Sequence, residues 1–280
     1  MKNLLNKKLV VAYIGKNSFL ANQFVKKYKK RFIFKSINID IRKKNKIHKW
    51  LLRNPDINIF INFAAITSVN ECAKYKRKSY DINYRAVVNL LNLINKSYLI
   101  NFKYFLNLST SHVFKPSKFK LRENSVKGPQ NYYGKTKLFL EKYILKNSKE
   151  YFFNIGIARI FNYYNRKSKK SFFINDIKKI LSNNNQKIYF KKISTFRDFI
   201  SIHNINTALY KMVQLNLKGD FNICSGKKIY LQDIVKCLNN KMKNKILIFN
   251  NIKSNGIVGS NLKLKNKGWI YNKEDLLNEL

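Results

Sequence analysis

Leu106-Asn-Leu-Ser-Thr-Ser-His-Val-Phe114 and, after a short gap, Asn131-Tyr-Tyr-Gly-Lys-Thr-Lys-Leu-Phe-Leu-Glu141 are the stretches on which the fold turns. The first reads as a buried strand ending in hydroxyls, and open α/β sheets place their ligands at such strand ends. The second reads as a helix with Tyr133 and Lys137 one turn apart. At that spacing the Lys137 ammonium can lower the pKa of the Tyr133 phenol and let it exchange protons near neutral pH. Thr110, at the strand end, can then share a substrate oxygen with Tyr133. A Tyr and a Lys at this spacing are a weak signal by themselves in a chain crowded with both. Weight comes from their surroundings: a nucleotide-type turn upstream, a strand ending in Ser and Thr, and Gly134 directly after the Tyr.

Working outward, apolar strand-like runs alternate with helical patterns through the first half, as in a parallel sheet covered on both faces. Strands are predicted at residues 9–14, 31–35, 37–40, 57–63, 102–108 and 154–160, and helices at 18–29, 46–53, 80–97 and 133–146. In the helix 80–97 the apolar face is Val87, Leu90, Leu91 and Ile94. The second half is less regular, with no repeat, linker or low-complexity tail. Any second domain is therefore expected to be interwoven with the first.

After the first strand comes Gly15-Lys-Asn-Ser18-Phe-Leu-Ala21, which has the spacing of a dinucleotide fingerprint with only its first glycine intact. Gly15 makes the tight turn. Ser18 stands where a second glycine lets the backbone approach a pyrophosphate, and Phe19 and Leu20 follow it in the first helical turn. Ala21 is small enough for close packing of helix on strand. Taken alone the motif is weak; its place ahead of Thr110, Tyr133 and Lys137 strengthens it.

Composition agrees with a globular protein. The 280 residues are 45% hydrophobic and 14% aromatic, enough to bury a substantial core. The longest apolar runs, such as 57–69, are too short and interrupted to cross a bilayer. The N-terminal run leads into Gly15-Lys-Asn-Ser18 and not into a small-residue cleavage site, so a cytoplasmic protein without membrane partners is expected. Cys72, Cys224 and Cys237 have no paired metal-ligand spacing, and neither a metal site nor a disulfide framework is indicated. A net charge of +43 would ordinarily point to nucleic acid or anionic lipid. Here lysine is spread along the whole chain among Asn, Ile, Phe and Tyr, the residues of A/T-rich codons, and no nucleic-acid motif accompanies it. The positive potential would instead attract an anionic substrate.

These residues resemble the extended short-chain dehydrogenase/reductases, the NAD-dependent epimerases, dehydratases and reductases of nucleotide sugars. Ile61-Asn-Phe-Ala64-Ala65-Ile-Thr-Ser-Val69 resembles the family's strand-four segment beside the cofactor, and Asp81-Ile-Asn83 the helix that follows. Pro129 through Glu141 is similar to its Pro-x-x-x-Tyr-Gly-x-Ser/Thr-Lys helix. Arg159-Ile-Phe-Asn162, Arg197-Asp-Phe-Ile200 and Phe221-Asn222-Ile-Cys-Ser-Gly226 resemble later elements. The resemblance implies a Rossmann-type doubly wound parallel sheet with a smaller, interwoven C-terminal α+β substrate lobe. Residues 1–160 would form the NAD(P)-binding domain, with 195–217 returning to it, and 161–194 and 218–280 the lobe. It implies Thr110, Tyr133 and Lys137 as catalytic residues. Gly15, Ser18, Phe19, Leu20, Lys35, Asp40, Ile41, Ala64 and Ala65 would bind the cofactor with Tyr133 and Lys137. Thr67, Ser111, Asn162 and Arg197 would meet a nucleotide-linked sugar. A homodimer through helices 80–97 and 133–146 is one option among related enzymes.

Within the family, sugar 4,6-dehydratases carry an Asp-Glu pair directly after the strand threonine. Ser111 and His112 stand there instead, so dehydration is not expected. The resemblance is greatest to dTDP-4-dehydrorhamnose reductases and related 4-ketoreductases. The expected reaction is reduction of the 4-keto group of an NDP-4-keto-6-deoxyhexose for surface polysaccharide synthesis, with a 4-epimerase as the alternative. A third reading is an idle member acting as an RNA-binding or scaffold protein, against which the intact Thr110, Tyr133 and Lys137 stand. Cofactor choice turns on strand register. Ending strand two at Lys35-Ser36 leaves Lys35 for a 2′-phosphate and favours NADP over NAD, with Asp40 touching the cofactor in either register. Choice of sugar is expected to lie with residues 165–171 and the C-terminal lobe.

Overall fold

A computed structural model of the chain describes residues 8–97, 99–164, 172–183, 186–190, 193–242, 245–249, 255–273 and 276–279. The 165–171 segment expected to shape sugar choice lies outside them. The chain divides into two compact units. One takes Met1–Val113, Pro129–Arg159 and Asn206–Phe221, the other Phe114–Gly128, Ile160–Ile205 and Asn222–Leu280.

In the first unit the elements run β1 (Val10–Ile14), α1 (Phe19–Tyr28), β2 (Ile33–Ile37), α2 (Lys44–Leu52), β3 (Ile59–Asn62), α3 (Val69–Lys74), α4 (Lys76–Tyr80), α5 (Ala86–Lys96), β4 (Tyr104–Thr110), α6 (Tyr132–Asn147) and β5 (Asn154–Ile160). The six-stranded sheet has the order Gly219–Ile223, β5, β4, β3, β1, β2. β2 pairs with β1, β1 with β3, and β3 with β4, all in parallel. This is the parallel sheet expected from the alternating pattern, in the Rossmann-type doubly wound α/β arrangement that the resemblance implied. β3 and β4 are buried along their whole length, which is why they read as continuous apolar runs. Helix α5 buries Val87, Leu90, Leu91 and Ile94, its expected apolar face, in a core shared with Ile14, Phe60, Phe105, Leu140 and Ile144. Each such side chain contributes about 1.5–3 kcal/mol by leaving water.

Two elements differ from expectation. The strands predicted at 31–35 and 37–40 are one strand, because β2 pairs residue for residue with β1 from Val10↔Ile33 to Ile14↔Ile37. The long helix predicted at 80–97 is interrupted by a π-helical turn at Asp81–Arg85, a distortion frequent at functional sites.

In the second unit, Asn162–Tyr164 pairs in parallel with Phe199–Ser201, and Lys187–Phe190 with Ile246–Phe249. Helices Phe172–Ser182 and Leu231–Met242 contribute Ile177, Leu181, Ile234 and Leu238 to its core. Asp198 is the polar centre of this unit. Its fully buried carboxylate accepts from the Ser225 N–H and hydroxyl at 2.8 and 2.7 Å, the Gly226 N–H at 2.9 Å and the Gly259 N–H at 3.2 Å. Those bonds tie the Asp198 segment to this unit, so the stretch that returns to the first unit is Asn206–Phe221, where 195–217 was expected. Residues 114–128 also lie in the second unit, where the Leu121 N–H donates to the Val258 carbonyl at 2.8 Å.

Burial pushes Asp198 from an ordinary 3.8 up to about 6, against the pull of its four donors. Between those values the native protein holds a proton that the unfolded chain has released. Stability therefore falls as pH rises through that window, by about 3 kcal/mol for such a shift. In urea unfolding at pH 4 and pH 7, native protein should lose about that much more than Asp198→Asn, which cannot titrate. Equal slopes would mean that Asp198 titrates as an ordinary carboxylate.

Candidate active site

The sheet order reverses between β1 and β3, and open α/β sheets bind ligands beyond the strand ends at such a switch point. The turn after β1 and the segment after β3 meet there. Gly15 has φ +90°, and a Cβ on it would lie 2.6 Å from the Ala64 N and 2.7 Å from the Phe63 carbonyl carbon. Only glycine fits, for conformation and for space. The Ser18 N–H donates to the Gly15 carbonyl at 2.8 Å, and α1 begins at Phe19. Ser18 N-caps α1 without a side-chain capping bond, Leu20 and Ala21 are buried, and no acidic residue stands in the first turn. A backbone turn feeding the positive end of a ten-residue helix suits a pyrophosphate. Ala64, held by its N–H to the Asn62 Oδ1 at 3.1 Å, and Ala65 are half-buried beside this turn, and Thr67 is exposed.

At the end of β4, α6 comes so close that a Cβ on Gly134 would lie 2.3 Å from the His112 carbonyl oxygen. Asn131 caps α6, its Oδ1 accepting from the Gly134 N–H at 2.8 Å, while its Nδ2 lies 2.8 Å from His112 Nδ1. The His112 ring stands edge-on to Tyr133 with centroids 5.7 Å apart, and the His112 N–H donates to Thr110 Oγ1 at 3.3 Å. One turn along α6, the buried Lys137 Nζ donates to the Leu108 carbonyl at 2.7 Å. The contacts thus bring Thr110, Tyr133 and Lys137 to one end of β4, with Tyr133 half-buried and Ser111 buried. Burial brings Lys137 down to about 8, opposed by the negative charge of Glu141 and by Cys72. A lysine so placed remains largely cationic at neutral pH and supports a phenol as a proton donor or acceptor.

Asn83 was read only as part of a helix segment, yet it links the two halves of this site. Its side chain accepts from the Ile66 N–H at 2.8 Å and donates to the Ile66 carbonyl at 3.0 Å and to Thr136 Oγ1 at 3.1 Å. It sits in the π-helical turn, so that the distortion delivers a buried amide between the post-β3 segment and α6.

Lys35 requires correction as a cofactor residue. It is the third residue of β2 and not its end, and its ammonium is held by Asp56 at 2.7 and 2.9 Å. Asp56 precedes β3, so Lys35 reaches toward the N-terminal edge of these parallel strands, away from the switch point. The register argument for NADP over NAD falls with it. Asp40 does follow the end of β2, its carboxylate bonded to the Arg42 N–H and guanidinium, which holds it down at about 2. Ile41 is buried in the core beside it.

Asn162 and Arg197 belong to the second unit. The Asn162 Nδ2 donates to the Asp198 carbonyl at 3.3 Å, and the Arg197 guanidinium to Thr195 Oγ1 and the Phe196 carbonyl at 2.9 and 3.0 Å. Among the described residues no helix is long and apolar enough to cross a membrane, and no cluster of three or more His, Cys, Asp or Glu is placed to hold a metal.

A family model described as GDP-mannose 4,6 dehydratase matches residues 1–266. A UDP-glucose 4-epimerase of Lactobacillus helveticus is 33% identical over 93 residues, covering 33% of this chain and 27% of that protein. The structure of RMD from Pseudomonas aeruginosa complexed with NADPH is similar at a TM-score of 0.81 and 17% identity, over 97% of this chain and 96% of that one. A UDP-glucose 4-epimerase of Thermus thermophilus in complex with NAD gives 0.78 at 17% identity, over 94% of each chain. At these identities the structural likeness is one of fold.

Proposed function

The chain belongs to the GDP-mannose 4,6-dehydratase family of extended short-chain dehydrogenase/reductases, and on that premise we propose that it is an NAD(P)-dependent oxidoreductase reducing the 4-keto group of an NDP-4-keto-6-deoxyhexose. The observation that carries this reading is the Lys137 ammonium, buried on the Leu108 carbonyl one turn from Tyr133 and next to the strand that ends in Thr110.

The Gly15 turn, which a Cβ would fill, fits a dinucleotide. Gly15, Ser18, Phe19 and Leu20 would hold its pyrophosphate, Asp40 and Ile41 its adenosine end, Ala64 and Ala65 the stretch between, and Lys137 the nicotinamide ribose. When bound, the dinucleotide supplies hydride. The chain's own part is the proton. Hydride arriving at a ketone carbon leaves alkoxide charge on its oxygen, which the Tyr133 hydroxyl relieves by donating its proton while Thr110 Oγ1 donates a hydrogen bond. Lys137 keeps that phenol acidic enough to give the proton up. Thr67, Ser111, Asn162 and Arg197 would contact the nucleotide sugar.

The residues after Thr110 favour simple redox chemistry over the dehydration in the family's name. Ser111 is buried, and the His112 ring is engaged by Asn131 and Tyr133; neither offers the carboxylates that removal of water would use. A 4-epimerase is the second reading, favoured by the Lactobacillus helveticus relative.

The test is loss of nicotinamide absorbance near 340 nm with NADPH or NADH and a panel of nucleotide-linked 4-keto-6-deoxy sugars. Substrate-dependent loss is expected, and the faster dinucleotide is the cofactor. No loss, with 4-epimerisation of a UDP-hexose and NAD retained on the protein, would replace the reductase by the epimerase.

A further inference from the structure

Behind Lys137 the first unit buries a chain of alternating charges. Glu141, one turn beyond Lys137 and 1% exposed, accepts from the Arg159 Nε at 3.1 and 3.0 Å, from its terminal nitrogen at 2.8 Å, and from the Ser109 hydroxyl. Arg159, also 1% exposed, pairs in turn with Asp220 at 2.6 Å. The order is cation, anion, cation, anion: Lys137, Glu141, Arg159, Asp220. Ser109 directly precedes Thr110, so the same carboxylate grips the strand that carries one proposed catalytic residue and the helix that carries the other two.

We propose that Glu141 is a positioning residue: clamped by Ser109 and Arg159, it supplies the counter-charge that lets the Lys137 ammonium be buried against the Leu108 carbonyl one helical turn from Tyr133. This rests on the reading of Tyr133 and Lys137 as the proton-transfer pair. An ammonium out of water is costly unless an opposite charge stands near, and a lone buried carboxylate would itself take up a proton. Arg159 holds Glu141 in a buried ion pair, and Asp220 offsets the charge that Arg159 brings in. The groups facing Lys137 are Glu141 from its own helix, the Leu108 carbonyl from β4 and Cys72 from α3, with Glu71 next to that thiol; Tyr133 lies one turn back along the helix. Arg159 from β5 and Asp220 from the Gly219–Ile223 strand act across Glu141. Burial holds the Cys72 thiol protonated, so Glu141 is the counter-anion on this list that touches the network directly.

The experiment follows Lys137 itself and needs no sugar substrate. With 13C-labelled lysine, the Cε resonance of Lys137, identified by its loss in Lys137→Met, should titrate near 8, apart from the solvated lysines. In Glu141→Gln the midpoint should move down by about one to two pH units, since a nearby negative charge is gone and Arg159 is less offset. Asp220→Asn, at the partly exposed end of the network, should move it in the same direction by less. The alkaline limb of turnover should follow these shifts, with KM for the dinucleotide changed less than kcat. An unmoved Lys137 titration in folded Glu141→Gln would overturn the proposal. Should that variant not fold, an unmoved titration in Asp220→Asn would do so. Shifted titrations without turnover of any sugar would leave Glu141 in its role and remove the redox reading.

Discussion

Tyr133→Phe should cut turnover by about 10²- to 10⁴-fold, the usual worth of a positioned proton donor, while leaving dinucleotide binding within a few-fold of native. The change deletes one oxygen. The ring that stands against His112 remains, Lys137 still meets the Leu108 carbonyl, and the Gly15 turn is untouched. A loss confined to kcat, with the dinucleotide Kd preserved in a fluorescence titration, identifies the phenol as acting in the transition state. Turnover within tenfold of native would mean that the proton comes from elsewhere and would remove Tyr133 from the mechanism.

The parts of this site that could be read in the sequence are those that depend on neighbours along the chain. Tyr133 and Lys137 share a face because a helix repeats every few residues. Gly15 is needed where a strand turns sharply into a helix, and Thr110 stands at a strand end because the apolar run stops there. Alternating strand and helix patterns carried the parallel sheet covered on both faces for the same reason. What escaped depends on pairing between distant residues. Lys35 has the right charge near the right strand, but five residues of β2 pair with β1, which places Lys35 mid-strand and within reach of Asp56. The sequence offers no local mark of that register.

The π-helical turn that brings Asn83 between Ile66 and Thr136 is equally silent in an apolar periodic helix. Glu141 reads only as the last residue of the Pro129–Glu141 helix motif and Arg159 as part of a strand motif. Their partnership, and the tie to Asp220, exist only once β5 and the Gly219–Ile223 strand lie side by side in the sheet. The local cue is Arg159 itself: a charged residue inside the apolar run that follows Asn154 is rarely buried without a partner.

Arg159→Met should destabilise the protein by about 3–5 kcal/mol, because it removes the cation hydrogen-bonded to the buried Glu141 and leaves Lys137, one turn away, and the Ser109 hydroxyl to offset it. Asp220, which is 17% exposed on its side chain, can turn to water and adds little to that loss. The double variant Arg159→Met with Glu141→Leu replaces the buried pair by apolar groups of similar bulk. It should recover to within about 1.5 kcal/mol of native, or exceed it, since desolvation of a buried ion pair commonly outweighs its attraction. Urea unfolding of the native, single and double variants closes the cycle and gives the coupling energy. A double variant as unstable as the single one would show that the pair stabilises the fold in its own right. If the double variant recovers stability, its turnover should nevertheless stay low, because Lys137 has lost its counter-charge. Stability without activity would then separate two roles that a single substitution confounds: the ion pair would be dispensable to the fold, and its value would lie in the charge that Glu141 sets beside Lys137 on the same helix.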